Sequence, residues 1–211
     1  MVRRMQTTVK PLLGPRAAGA YAVLLLLVAA GAALLAAGVL FTGVTRDAAD
    51  VTVYLSNSVR LDLDDRLDLP EGAALLGNLL PVQLHVPDLP LDVRLLAQSG
   101  DALLLLSIAV GALALAQVLR TVRAGRPFAR RNATWLAVVA GAVVVGGCIP
   151  PVLRNVGAQA ALGHLEVRGD PPFVTWSSFT WTPLLLGIVV LGIAEAFRRG
   201  AAMADDVDGL V

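Results

Sequence analysis

The sequence predicts an all-α membrane bundle of four transmembrane helices with a small β-rich extracytoplasmic cap formed by the two outer loops. Three observations lead there. Hydrophobic residues make up 56% of the 211 residues, and the mean hydropathy is +0.73. Only 16% of the chain is charged, against about a quarter in an ordinary soluble domain, and those charges are gathered between long apolar runs. Two of the intervening segments alternate apolar and polar residues, the period of half-buried strands.

A helix crosses the hydrocarbon core with about 20 mostly apolar residues, and four stretches approach this. Residues 1–19 form a basic tail with Arg3, Arg4, Lys10 and Arg16 and no acid. The first span, 20–44, is uncharged and longer than the roughly 7–15-residue core of a signal peptide, so it is read as retained. The second span is 102–119. The third, 134–153, carries Pro150-Pro151, where a stop or kink is expected. The fourth, 181–197, begins beside Pro183, which a first helical turn tolerates.

Between the spans lie an outer loop (45–101), a basic loop (120–133) and a second outer loop (154–180), and the chain closes with a tail at 198–211. The first outer loop holds ten acids against four arginines. Val51, Val53 and Leu55 alternate with polar neighbours, as do Val59, Leu61 and Leu63, and then Val82, Leu84 and Val86. Residues 73–80 read as a short helix. The second outer loop alternates over Leu165–Val167 and again from Phe173 to Phe179. The economical reading is one unit assembled from both loops.

Basic residues set the direction. The N-terminal tail, the 120–133 loop and the C-terminal tail carry eleven of them; the other side carries six. The positive-inside rule then puts both termini and the basic loop in the cytoplasm. Sixteen arginines against one lysine, with abundant Ala, Gly, Val and Leu, suggest a bacterial source and hence the inner membrane.

The chemistry of enzymes is missing. No ionisable side chain lies in the central part of any span, which argues against ion-coupled transport. Cys148 is the only cysteine, which excludes an intramolecular disulfide and a multi-cysteine metal site. His85 and His164 sit in the outer loops and are read as solvated or packed. No phosphate loop, nucleophile elbow or paired-His motif occurs. The expectation is a non-enzymatic chain with no catalytic, cofactor-binding or metal-binding residues. Direct nucleic-acid binding is not expected either, because the short basic loop offers no folded basic face or stacking platform.

Small residues recur at helix-contact spacing: Ser107 with Gly111, Ala112 with Ala116, Ala137 with Gly141, and Ala142 with Gly146. Such pairs let backbones approach. In the basic loop, Gly125 ends a helix, Pro127 fixes the turn and Asn132 is placed to cap the third span. Phe128, ringed by Arg123, Arg126 and Arg130, either anchors in the membrane interface or offers a partner an apolar contact. The arginines themselves serve topology and anionic-lipid contact, or form a docking surface. Glu195 is spaced to pair with Arg198 and Arg199.

Two stretches resemble a known family. "LRTVRAGRPFARRNATWL" is similar to the loop of bacterial four-span membrane proteins grouped as domain of unknown function 2975, at Gly125, Pro127, Phe128 and Asn132. "LLLGIVVLGIAEAFRRGAAMADDVDGLV" resembles that family's last span and tail, at Ala194, Glu195, Phe197, Arg198, Arg199 and Gly200, then Asp205, Asp206, Asp208 and Leu210-Val211. Gly209 and the long first outer loop depart from the pattern. The resemblance implies a four-span layout, brings no established activity, and associates the chain with small cytoplasmic helix-turn-helix regulators. The leading expectation is therefore a sensing or regulatory subunit that contacts membrane lipids and a cytoplasmic protein partner. The alternatives are a small transport or permeability component, or a scaffold for envelope enzymes. Ligand, signal and oligomeric state are not legible.

Overall fold

The computed structural model describes residues 14–56, 80–126, 128–166, 173–176 and 180–208. In chain order these form α1 (Pro15–Thr45), β1 (Ala49–Leu55), β2 (Leu80–Val86), α2 (Leu91–Arg123), α3 (Arg130–His164), β3 (Phe173–Val174) and α4 (Thr182–Asp208). Each long helix packs on the one before it: α1 on α2, α2 on α3 and α3 on α4.

The way the helices meet follows from which residues are small. On α1 the buried stripe is Ala18, Ala22, Ala29, Ala32 and Ala36, while Leu24, Leu27, Leu34, Leu35 and Phe41 face outward. On α2 the buried set includes Ala109, Ala112, Ala114 and Ala116, with Leu106, Ile108, Val110 and Leu113 exposed. On α4, Ala194 and Ala201 are buried, and Leu185, Ile188, Val189 and Ile193 are exposed. Small residues inside and large aliphatic ones outside invert the arrangement of a water-soluble bundle, where large apolar side chains fill the core. Small contact faces are what helix pairs use where the surroundings are as apolar as leucine.

Among the described residues, three helices are long and apolar enough to cross a membrane: Arg16–Thr45, Leu91–Arg123 and Arg130–His164. The four-helix count agrees with the sequence reading, but α4 stands apart from that set. Its apolar stretch, Thr182 to Ala194, meets Glu195, Arg198 and Arg199 soon after.

Helix ends differ from expectation at the cap end. The sequence predicts a second span beginning at 102 and a third ending by 153; α2 instead begins at Leu91 and α3 runs on to His164. Pro150-Pro151 lie inside α3. A tertiary contact carries the helix past them. Beyond the prolines, Ala158, Ala161 and Leu162 are held in a buried cluster with Ala97 of α2 and Val51, Val53 and Val86 of the sheet.

That sheet has the order β2-β1-β3. β1 and β2 run antiparallel with Ala49↔Val86, Val51↔Leu84 and Val53↔Val82 in register, so the alternating apolar residues share one face, which lies on the helix extensions. β3, from the second loop, pairs with β1 through Tyr54↔Val174 and Leu55↔Phe173. Both loops thus contribute to one sheet, as the alternation predicts. The cap is part helical, since segments 91–101 and 154–164, predicted as loop, are helix. The alternation around Leu61 and residues 73–79 of the expected short helix fall outside the described residues, and Leu80, its expected last residue, begins β2.

Polar ties fix the cap to the helices. The Arg94 guanidinium, at the buried start of α2, donates to the carbonyl oxygen of Arg46, where α1 ends, and to Asp47 Oδ1 at 3.2 Å. Arg154 of α3 bridges Asp101 of α2 at 2.6 Å.

The seams leave no room for a methyl group where backbones meet. A Cβ on Gly157 of α3 would lie 2.5 Å from Ala97 Cα and 3.1 Å from the Leu96 carbonyl oxygen, so α2 itself would have to move. Gly141, on the same helix, has nothing within 4 Å. Gly157→Ala should therefore destabilise the protein by about 1–3 kcal/mol, the usual range for overpacking. Gly141→Ala should be neutral or stabilising by up to about 1 kcal/mol from helix propensity. Thermal unfolding of the two purified variants in detergent separates these outcomes.

Candidate functional site

At the end of the bundle opposite the sheet, the chain turns from α2 into α3 and meets the last helix. α2 stops in a Schellman motif. Gly125 adopts φ +74°, its N–H donates to the Val122 carbonyl, and the Arg126 N–H donates to the Thr121 carbonyl, both at 3.0 Å. Nothing lies within 4 Å of where a Gly125 Cβ would be. Glycine is required there for its backbone conformation and not for space.

α3 begins at Arg130, with Ala129 in the N-cap position and no side-chain cap. This corrects the expectation for Asn132, which is fully buried three residues into the helix. The Thr121 hydroxyl of α2 donates to Asn132 Oδ1 at 2.7 Å and lies equally close to the Val118 carbonyl. Asn132 ties the two sides of the turn together inside the packing. The motif residue is structural in a different sense from the one its spacing suggests: a buried amide demands a partner, and Thr121 supplies it.

The two motif stretches converge. The Phe128 and Phe197 rings lie 5.6 Å apart, tilted by 40°, a favourable aromatic arrangement. A Cβ on Gly200 would sit 2.9 Å from Phe128 Cδ1, so Gly200 admits the ring to the α4 surface. Behind it, Val118, Leu136 and Ala194 form a buried cluster with Val122, Trp135 and Phe197 packed on it. Phe128 remains 51% exposed. One half of it is spent on α4 and the other faces out.

The charged members of the motifs separate into two groups. Glu195 accepts from Arg198 Nε at 2.6 Å and Nη2 at 2.8 Å, and from Arg199 Nε at 2.8 Å, the i,i+3 and i,i+4 pairs that the spacing predicts. Arg123 reaches α1, since a Cβ on Gly19 would be 3.2 Å from its Nη1. Arg126 and Arg130 are exposed. Pro127 lies outside the described residues.

Spacing alone misses a feature of this end. A cavity of about 340 Å³ opens between the end of α2 and the start of α3, with Arg120, Arg126 and Arg131 in its wall beside Gln117, Thr121 and Trp135. Arg120 and Arg131 sit on different helices, and only the turn brings them face to face. Other concavities lie elsewhere. An apolar cleft of about 460 Å³ is lined from all four helices, with Leu25, Leu115, Val143 and Leu186 in its walls. A mixed pocket of about 210 Å³ lies between sheet and α3, bordered by Tyr54, Arg154, Asn155 and Trp176. His85 is engaged with Asp50 at 2.7 Å on the sheet surface. Of the predicted small-residue pairs, Ser107 and Gly146 meet across the α2–α3 seam, as do Gly111 and Ala142. Gly141 does not face a neighbour.

Fold and site together define a small bundle of membrane-length helices, closed by a sheet at one end and by a basic turn locked to the last helix at the other. That class has a family here. Residues 92–211 match the model described as Protein of unknown function (DUF2975), and the chain belongs to that family. The matched region holds α2, α3, β3 and α4, including every motif position of the turn and tail. No curated protein and no solved structure matches the chain.

The turn's internal ties generate a prediction. Asn132→Leu puts a branched side chain into the fully buried place of the amide and leaves the Thr121 hydroxyl only the Val118 carbonyl, which should cost about 1–3 kcal/mol. Gly125→Ala forces a side chain into the left-handed region and should cost about 1–2 kcal/mol. Gly31→Ala, inside α1 with nothing within 4 Å, serves as the reference in the same denaturation series and should be neutral or stabilising by up to about 1 kcal/mol.

Proposed function

We propose that this chain is a non-enzymatic regulatory subunit of a bacterial inner membrane, which couples the state of its outer cap to a protein docked on its cytoplasmic turn. In this reading all four helices cross the bilayer, both termini and the basic turn are cytoplasmic, and the sheet lies outside. Membrane lipids surround the bundle. The partner class is a small helix-turn-helix regulator, as the family resemblance suggests.

The observation that carries the proposal is the continuity of α2 and α3. With 33 and 35 residues, each is about 50 Å long at 1.5 Å per residue, well beyond a hydrocarbon core of about 30 Å. The same two rods hold the sheet at one end and form the turn at the other, and their close seam leaves little slack between them. A displacement of the cap is therefore felt at the turn. For α4, the mutual pairing of Glu195, Arg198 and Arg199 favours a crossing that ends at those residues, because paired charges at an interface with long stems reaching water cost less than isolated ones. The half-exposed Phe128 beside Phe197, rimmed by arginines, has the composition of an interface anchor.

The transport alternative rests on the four-helix cleft. No charged residue lines it, so it would suit only an apolar molecule.

Two measurements test the proposal. On a Cys148→Ala background, single cysteines at Thr7, Ala124 and Gln159 are labelled in intact cells with an impermeant thiol reagent. Labelling at Gln159 alone is expected; labelling at Ala124 would reverse the topology. A photo-cross-linking residue at Phe128 in native membranes should capture a cytoplasmic protein, and Phe197→Ala should reduce that capture at least tenfold while insertion stays intact. Cross-links to lipid alone would remove the regulatory reading.

A further inference from the structure

We infer that the cavity between the end of α2 and the start of α3 is a phosphate-binding site, in which Arg120, Arg126 and Arg131 converge on the phosphate of an anionic ligand. The three arginines come from the last turn of α2, from the Schellman turn and from the first turn of α3. All three line one cavity of about 340 Å³, and no acidic residue shares its wall. Among the described residues no carboxylate pairs with any of them. Glu195, the acid of the neighbouring motif, is engaged with Arg198 and Arg199.

Convergence is the informative part. A topology signal needs basic residues on one side of the membrane but not in one hollow, because the effect depends on number. Here three arginines from separate elements border a common space. Arg120 is steadied by Gln117, whose Oε1 accepts from its Nη1 at 3.5 Å. The cavity also borders Ala129 and Arg131 at the start of α3, the positive end of a helix dipole.

The chemistry of the walls selects the ligand class. Planar guanidinium forks match the oxygens of a phosphate in bidentate fashion. The volume is about ten times that of one water, whose share of the liquid is roughly 30 Å³, so a phosphate with an attached group is accommodated. Trp135 supplies an aromatic wall beside the charged one. Such a group comes either from an anionic phospholipid, whose headgroup would enter from the bilayer, or from a soluble phosphate compound. The lipid source rests on the membrane placement proposed above; the phosphate chemistry does not.

The test uses the full chain in nanodiscs of neutral phosphatidylcholine, alone or with phosphatidylglycerol. Native mass spectrometry reads lipid retention, and calorimetry with inorganic pyrophosphate in neutral discs reads the soluble source. Arg126→Gln, at an exposed turn position, and the double variant Arg120→Gln/Arg131→Gln are each compared with Arg16→Gln/Arg123→Gln, which removes two charges from the same end outside the cavity. Pyrophosphate binding in neutral discs should fall about tenfold for each cavity arginine removed, as loss of a charge-assisted hydrogen bond implies, and stay within twofold in the outside pair. Retention of phosphatidylglycerol without pyrophosphate binding assigns the lipid source; pyrophosphate binding in neutral discs assigns the soluble one. Equal losses in the inside and outside variants, or no binding of either probe by the unaltered chain, would overturn the site. Cysteine labelling opposite to the expected topology, with binding intact, would unseat the membrane placement alone.

Discussion

Close approach of helix backbones is the constraint on which the rest of this protein depends. Alanine and glycine line the contact faces of α1, α2 and α4, and where backbones come nearest, as at Gly157 against Ala97, no Cβ is accommodated. With the large aliphatic side chains turned outward, the bundle gains little from burying them and relies on contact between well-fitted surfaces. Everything at the two ends inherits that precision. The sheet can rest on Ala158, Ala161 and Leu162 because α2 and α3 are still in contact there, and Thr121 can reach Asn132 because they remain so at the other end.

Much of the architecture was legible from the residues. Four helical runs follow from hydropathy, and Val51, Val53, Val82, Leu84 and Val86 announce two strands with a shared apolar face. Helix ends were less legible. "LDVRLLAQSG" has neither the continuous apolarity of a span nor an obvious cap, and Pro150-Pro151 read as a stop. What extends both helices is the sheet they support, a tertiary effect that local pattern does not carry. The end of the apolar stretch of α4 is obscured for a different reason: Glu195, Arg198 and Arg199 count as three charges in a hydropathy window, although in the fold they form one paired cluster.

At the candidate site, the individual signals were visible and their relations were not. Gly125 as a helix terminator and Glu195 as the partner of two arginines follow from spacing within one helix or turn. The meeting of Phe128 with Phe197 and Gly200 joins segments from opposite ends of α3 and α4, beyond the range of any local rule. Asn132 shows how such rules fail: asparagine near a helix start is usually a cap, yet here the helix begins earlier and the amide is drawn inward by Thr121. The basic cavity is likewise a property of the turn's three-dimensional path. Family membership covers the region where these relations occur and leaves α1, β1 and β2 as the part of the chain outside the matched segment.

The serial packing of the helices also bears on how the protein is made. Each helix finds its packing surface on the one synthesised just before it, so assembly can follow the emerging chain, as domains generally do during synthesis. Two contacts break this order. The sheet acquires β3 only after α3 has been completed, and the Phe128 ring has no α4 to rest on until the last helix is in place. A chain released early would thus keep its α1–α2 seam while lacking both closures, one at each end. The two closures come in sequence, β3 on the sheet first and α4 on the turn second.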